Sequence, residues 1–307
     1  MIGVFGIEPE VMAQWEHFKS LYPAFGVSKR RLIGRYPKKW KAMVCDRARE
    51  LVQLGKNTEM QTHRMVERLA NDDSRFKFYR VPVSDYTPEK SWFDNAMGHQ
   101  PTFEAIVADS CPYNDGRACP AEDLLIDEAP FHKPAEITIP RTAEAIIGTA
   151  ECLLKAACQV VLVEPNFNAA EPRFVKTVIR LIEMLENNAS PPKKIELHTV
   201  QPEGGMKVDI QKRNYSRTFE PYLPKGWNLD ICFWGETSPA DYLHPRFIMT
   251  EHGAIQIDYG LDEGEVGSTT IAKGVDDDLF AQLFVQYSSE GTRFSDNASN
   301  VRIRITG

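Results

Sequence analysis

Three short apolar runs constrain what this chain can fold into. Val160–Val163, Ile195–Val200 and Leu229–Trp234 are nearly continuous in hydrophobic residues, where a strand with one wet face would alternate. Such runs are expected in strands covered on both faces. Between them lie segments with helical spacing. Residues 172–187 open on Pro172 and place Phe174, Val175, Val178, Ile182 and Leu185 on one side, and residues 205–219 predict a second helix. Strands alternating with helices predict an α/β domain with a mostly parallel or mixed central sheet and helices on both faces.

The rest of that domain, taken as residues 135–307, follows the same rhythm. Ile137–Ile139 and Val301–Thr306 read as strands, residues 142–157 and 276–288 as helices, and Phe247–Thr250 with Ala254–Asp258 as a hairpin around Glu251-His252-Gly253. Residues 1–134 predict a smaller α+β region. Its strands are expected at 2–7, Phe76–Val83 and Thr102–Ala108, with helices at 9–20, from about Pro37 to Leu54, 57–70 and 88–97. Residues 109–134, rich in Pro, Gly, Asn and acids, read as an irregular connection. No repeat of solenoid length is present.

With 307 residues, 42% of them hydrophobic and 26% charged, the chain can bury a real core and is not globally disordered. Its net charge of -7 leaves any polyanion binding to local patches. No apolar run approaches the roughly 20 residues that span a bilayer. The opening MIGVFGIEPE has no basic leader, which predicts a cytoplasmic protein whose six cysteines are reduced thiols. Cys111 and Cys119, near His99 and His132, fit no zinc spacing and read as loop residues, so neither metal nor cofactor is expected.

The sharpest local feature is LHPRFIMTE, residues 243–251, with His244, Arg246 and Glu251. Side chains two apart on a strand share a face, so His244 and Arg246 are expected to point the same way. A neutral imidazole can attack phosphorus, a guanidinium can hold two phosphate oxygens, and Glu251 could orient the imidazole. The stretch resembles the HxKxxxxD signature of the phospholipase D superfamily, with Arg in place of Lys and Glu in place of Asp. HPRFIMTEHGAIQIDYGLDEG is closer still to the phospholipase-D-like C-terminal domain of MIT-domain proteins and bacterial relatives, in which a second strand ends in Gly-Leu-Asp, here Gly260-Leu261-Asp262. The superfamily's usual Gly-Ser-x-Asn is missing: Asp258, Tyr259 and Leu261 occupy the equivalent offsets.

The resemblance covers roughly residues 140–290 and implies a metal-independent phosphodiesterase, most readily a nuclease, with His244, Arg246 and Glu251 catalytic. Because that superfamily joins two motifs and this chain holds one, it also implies a homodimer or a partner chain. Bacterial relatives imply a place in an antiviral defence or mobile-element system. The alternative is an inactive phospholipase-D-like module that docks on a partner protein, nucleic acid or a phospholipid headgroup.

A second feature is the run at residues 28–49, with nine Lys or Arg, one acid, and Tyr36 and Trp40 interleaved. Lys29, Arg30, Arg31, Arg35, Lys38, Lys39, Trp40 and Lys41 are candidate nucleic-acid contacts, through phosphate neutralisation and stacking; the other reading is a solvated helix face over core aromatics. Residues 258–278, with Asp258, Asp262, Glu263, Glu265 and Asp276 to Asp278, read as a solvated acidic loop and helix cap that would repel a polyanion.

Overall fold

The computed structural model describes residues 2–71, 77–81, 85–99, 103–112, 116–124, 134, 136–188, 191–192, 194–202, 207–235, 245–287 and 299–307. It divides into two compact units, residues 2–135 and 136–307.

The first unit runs β1 (Gly3–Ile7), α1 (Pro9–Met12), α2 (Trp15–Leu21), β2 (Arg31–Gly34), α3 (Trp40–Gln53), α4 (Glu59–Asn71), β3 (Phe78–Tyr79), α5 (Trp92–Gly98), β4 (Ala105–Ala108), β5 (Ala118–Pro120) and α6 (Ala121–Leu124). Its sheet has the order β3-β2-β1-β4-β5 with every neighbour parallel. Alternation along the strands sends Phe5, Ile7, Ile33, Ala105 and Val107 into one core with Val11, Phe18, Trp40, Val44, Met65 and Leu69. Ile106 and Ala108 go to the opposite core with Tyr36, Trp92, Phe93 and Phe103. Helices therefore cover both faces, a doubly wound arrangement whose strand order reverses between β1 and β4. The connection expected to be irregular contributes β5, which pairs with β4, and α6. Three residues ending in Pro120 suffice at a sheet edge, where the missing N–H costs nothing.

The second unit runs β6 (Glu136–Pro140), α7 (Ala143–Gly148), α8 (Glu151–Ala156), β7 (Val160–Val163), α9 (Pro172–Glu186), β8 (Lys194–Val200), α10 (Val208–Phe219), β9 (Asn228–Trp234), β10 (Phe247–Thr250), β11 (Gly253–Ile257), β12 (Thr269–Gly274), α11 (Asp277–Tyr287) and β13 (Val301–Thr306). The sheet order is β13-β9-β8-β7-β10-β11-β12-β6. β7, β8 and β9 are parallel and interior, and the remaining pairs are antiparallel. One face packs Val161, Val163, Phe247, Met249 and Ala254 against Leu283 and Tyr287 of α11. On the other, α9 buries Phe174, Val178, Leu181 and Leu185, and Tyr215 of α10 meets Phe233 edge-on at 5.5 Å.

Three expectations need correction. The helix at 9–20 is two, α1 and α2, because the chain extends at Gln14 between them. The helix at 142–157 is two helices, broken where the Thr149 hydroxyl donates to the Ile146 carbonyl at 2.6 Å, a local bond that competes with continuing the helix. The acidic stretch is not all loop. Thr270 and Ala272 alternate inward, and β12 bridges β11 and β6. As to spans, no described helix is long and apolar enough to cross a membrane.

Candidate functional site

In the second unit β10 lies antiparallel to β7 with Phe247 opposite Val163. The residues just beyond that pair, Arg246 and Glu164, are thereby brought face to face at the carboxyl edge of β7, β8 and β9. Arg246 Nε lies 3.7 Å from Glu164 Oε1. Glu164 is 1% exposed and accepts the backbone N–H groups of Leu261 at 2.8 Å and Asn166 at 3.1 Å. Burial pushes its carboxyl above the usual range, against the pull of those two N–H groups and Arg246, and nearby Asp262 adds to the rise.

Leu261 arrives because the chain leaves β11 and turns back at Gly260, whose φ is +125°. A Cβ there would meet Asp262 Oδ1 at 2.7 Å, Glu164 Oε2 at 3.0 Å and Arg246 Nε at 3.6 Å. Backbone conformation and crowding both demand glycine. Asp262, 3% exposed, is paired with Arg141 and, at 3.2 Å, with Arg173 in the first turn of α9. Arg141 also donates to the Tyr259 carbonyl at 3.2 Å, and Lys176 holds Glu263 at 2.7 Å. The result is an edge cluster of three guanidiniums around two buried carboxylates, where parallel α/β sheets commonly take ligands. Arg246 Nε is buried without a hydrogen-bond acceptor.

Of the residues expected there, Arg246 belongs to this cluster and His244 lies outside the described residues. Glu251 does not join it. It follows the far end of β10, about 16 Å along an extended strand from Arg246, and accepts the backbone N–H groups of Cys158 and Gln159. It pins the turn into β7 and cannot orient an imidazole beside Arg246. Glu164, the polar tip of VVLVEPNF, and Arg141 were not expected. The only sequence signal for Glu164 is a carboxylate ending a continuous apolar strand.

The basic run is split by burial. Trp40 is 0% exposed and donates to the Ile7 carbonyl at 2.6 Å, so it is a core residue and not a stacking platform. Arg30, 4% exposed, donates to Pro134 O at 2.6 Å. Lys41 is held over the Phe78 ring at 4.3 Å and donates to Leu69 O at 2.8 Å. Arg31 is half-buried at the start of β2, while Lys29 and Lys39 are exposed. Arg35 and Lys38 follow β2 and line a cavity with Arg80 and Val81. Between them, Tyr36 turns inward and donates to Asp85 at 2.9 Å, and His99 Nδ1 meets the same oxygen at 2.7 Å. Burial alone would raise the Asp85 carboxyl, but the bonds from His99 and Tyr36 outweigh it and hold the group low. Burial and Asp85 together push the Tyr36 hydroxyl up.

The metal-ligand atoms that do gather among the described residues are those of Glu196, His198 and Cys232, all buried. They share one sheet face, His198 being registered on Cys232. The Trp234 indole N–H donates to His198 Nδ1 at 3.0 Å. Since indole nitrogen only donates, Nδ1 is the lone-pair nitrogen and Nε2 carries the proton. The remaining ring nitrogen is thus not a ligand, and burial lowers the imidazole pKa to about 3, keeping it neutral. Cys111 and Cys119 lie in the first unit, where the Cys119 thiol donates to the Pro120 carbonyl at 3.3 Å.

No protein-family model and no curated protein matches the chain. Among solved structures it is similar to TrmBL2, an archaeal chromatin protein described as having a novel mode of DNA binding, at 12% identity and a TM-score of 0.27. That overlap covers 59% of this chain and 61% of the other, and at this TM-score it bears on neither fold nor site.

Proposed function

We propose that the second unit is a metal-independent, phospholipase-D-like phosphodiester site acting on or binding nucleic acid, with His244 and Arg246 as its working pair. The supporting observation is the meeting of Arg246 with the Gly260-Leu261-Asp262 turn over Glu164. The two stretches that carry the resemblance, separated in sequence, form one cluster. In this reading Arg246 turns from Glu164 to a phosphate oxygen, while Glu164 keeps the turn in place through the Leu261 N–H. His244 attacks phosphorus. A P–N bond forms as the P–O bond to the leaving oxygen breaks, a second copy's imidazole protonates that oxygen, and water then cleaves the P–N bond and frees His244. The active form is accordingly a pair of chains.

A second reading, a non-catalytic docking module, is favoured by the pairing of Arg141, Arg173 and Arg246 with carboxylates, which leaves less positive charge for a substrate. The deciding measurement is cleavage of bis(p-nitrophenyl) phosphate and of single- and double-stranded DNA, with EDTA present throughout. His244→Ala is expected to abolish turnover and keep binding, and Arg246→Ala to weaken both by at least about tenfold. Turnover surviving in His244→Ala overturns the catalytic assignment. Absence of turnover in wild type, with nucleic-acid binding intact, selects the docking module.

A further inference from the structure

The cavity at the ends of β2 and β3 has a volume of about 260 Å³ and is lined by Arg35, Lys38, Arg80 and Val81. We propose that it is a binding site for the phosphoryl group of a small phosphorylated ligand of the size of a nucleoside monophosphate.

Three observations converge. The first is position. All five strands of the first unit are parallel, so their carboxyl ends share one edge, and Arg35 directly follows β2 while Arg80 directly follows β3. Ligands of doubly wound sheets bind outside that edge, at the switch point, which here lies between β1 and β4, so the cavity at β2 and β3 shares the edge but sits beside the switch point. The second is charge. Three cations line one cavity, and no carboxylate does among the described residues. Among the described residues none of the three has an ion-pair partner, whereas Arg47 and Arg49 on neighbouring α3 are each matched to acids. Arg35 Nε is buried and has no acceptor among the described residues. A buried guanidinium N–H without a partner is costly, and a turn of the Arg35 fork toward an anion in the cavity relieves it. Two guanidinium forks and an ammonium suit the several oxygens of a phosphate better than a carboxylate's two.

The third is size. The cavity exceeds the space of a few waters, at about 30 Å³ each, yet lies at the small end of ligand pockets, roughly 300–1,000 Å³. It admits a phosphate with an attached sugar-sized group against Val81. A nucleic-acid strand would want a long groove with stacking rings. The aromatics of this stretch are withdrawn instead: Trp40 is in the core and Tyr36 is bound to Asp85. The basic run thus supplies a compartment and not a track.

Calorimetric titration of the full chain with inorganic phosphate, adenosine 5′-monophosphate and adenosine tests this. Binding of the monophosphate without binding of adenosine is the expected result. Equal binding of inorganic phosphate identifies the free anion as the ligand, with the same phosphoryl chemistry. Arg35→Gln, Lys38→Gln and Arg80→Gln should each weaken phosphate binding by about tenfold or more, one charge-assisted contact apiece, and Arg80→Lys should restore part of it. Arg80→Gln should leave any phosphodiester cleavage unchanged, so this site and the proposed function can fail separately. Lys38 and Arg80 are exposed, so their variants remain informative should Arg35→Gln misfold. The proposal is overturned if neither phosphate-bearing probe binds, or if binding is indifferent to Lys38→Gln and Arg80→Gln. It is also overturned if a short single-stranded oligonucleotide binds through these residues more tightly than the monophosphate does.

Discussion

In the second unit, Arg246 is matched to Glu164, and Arg141 and Arg173 to Asp262. In the first, Arg35, Lys38 and Arg80 share a cavity with no acid in its lining among the described residues. Both groups sit at the carboxyl edge of parallel strands, so topology alone does not distinguish them. The difference lies in what each charge does before a ligand arrives. Paired guanidiniums hold the Gly260 turn against β7 and must exchange partners to take a phosphate. The unpaired cations impose no such exchange, but their mutual repulsion goes uncompensated until an anion enters. One cluster is built into the fold, and the other is set aside for binding.

Removing the carboxylate of the paired cluster should have the largest effect. Glu164→Ala leaves the N–H groups of Leu261 and Asn166 without their acceptor, and Arg246 without its ion-pair partner, in a buried place. A loss of about 3–5 kcal/mol in denaturant unfolding is expected. A loss under about 1 kcal/mol would mean that water already serves these groups, and the contrast between the two clusters would collapse.

An intermediate effect comes from acid. The imidazole of His198 titrates near 6.5 when unfolded and is held down to about 3 in the fold, first by burial and then by Arg302 and Lys194. Below pH 6.5 the unfolded chain gains a proton that the folded chain refuses. Stability of the second unit is therefore complete above that pH and falls through the window down to about pH 3, by as much as about 1.4 kcal/mol per pH unit. Glu164, raised by burial, acts in the opposite sense, its contribution growing as pH falls and the carboxyl takes up a proton. Hydrogen exchange resolved by unit, for wild type and His198→Gln, checks the slope. An unchanged slope in the variant would assign the loss to another group.

The smallest effect is expected at the cavity. Arg80→Gln removes an exposed charge that holds nothing together, so unfolding stability should stay within about 0.5 kcal/mol. A drop beyond about 1 kcal/mol would show that Arg80 supports the fold, and the first unit's cations would no longer differ in kind from those of the second.

Much of the second unit was legible because its signals are local. The continuous runs of β7, β8 and β9 report cover on both faces, and the hairpin around His252 follows from two apolar segments flanking a tight turn. For Trp40 the structure selects the core reading of the basic run over the stacking one. Its neighbours Lys38, Lys39 and Lys41 draw the eye to charge, but Trp40, Val44, Ala48 and Leu51 form a helical stripe, and that period placed the indole in the core. β12 and β5 are not legible because their polar and proline positions hide the strand period, and only pairing with neighbouring strands makes them strands.

The sequence by itself determined the α/β class, the interior strands and the placing of Arg246 at the mouth of a hairpin, since each is written in spacing over a few residues. Only the tertiary structure decided which charges are spent on the fold and which remain for a ligand. Glu164, Arg246 and Asp262 lie on different segments, as do Arg35 and Arg80, and a charge's worth depends on the distance to its partner and the water between them. That distance is set by strand register, through backbone hydrogen bonds that every residue type but proline can make.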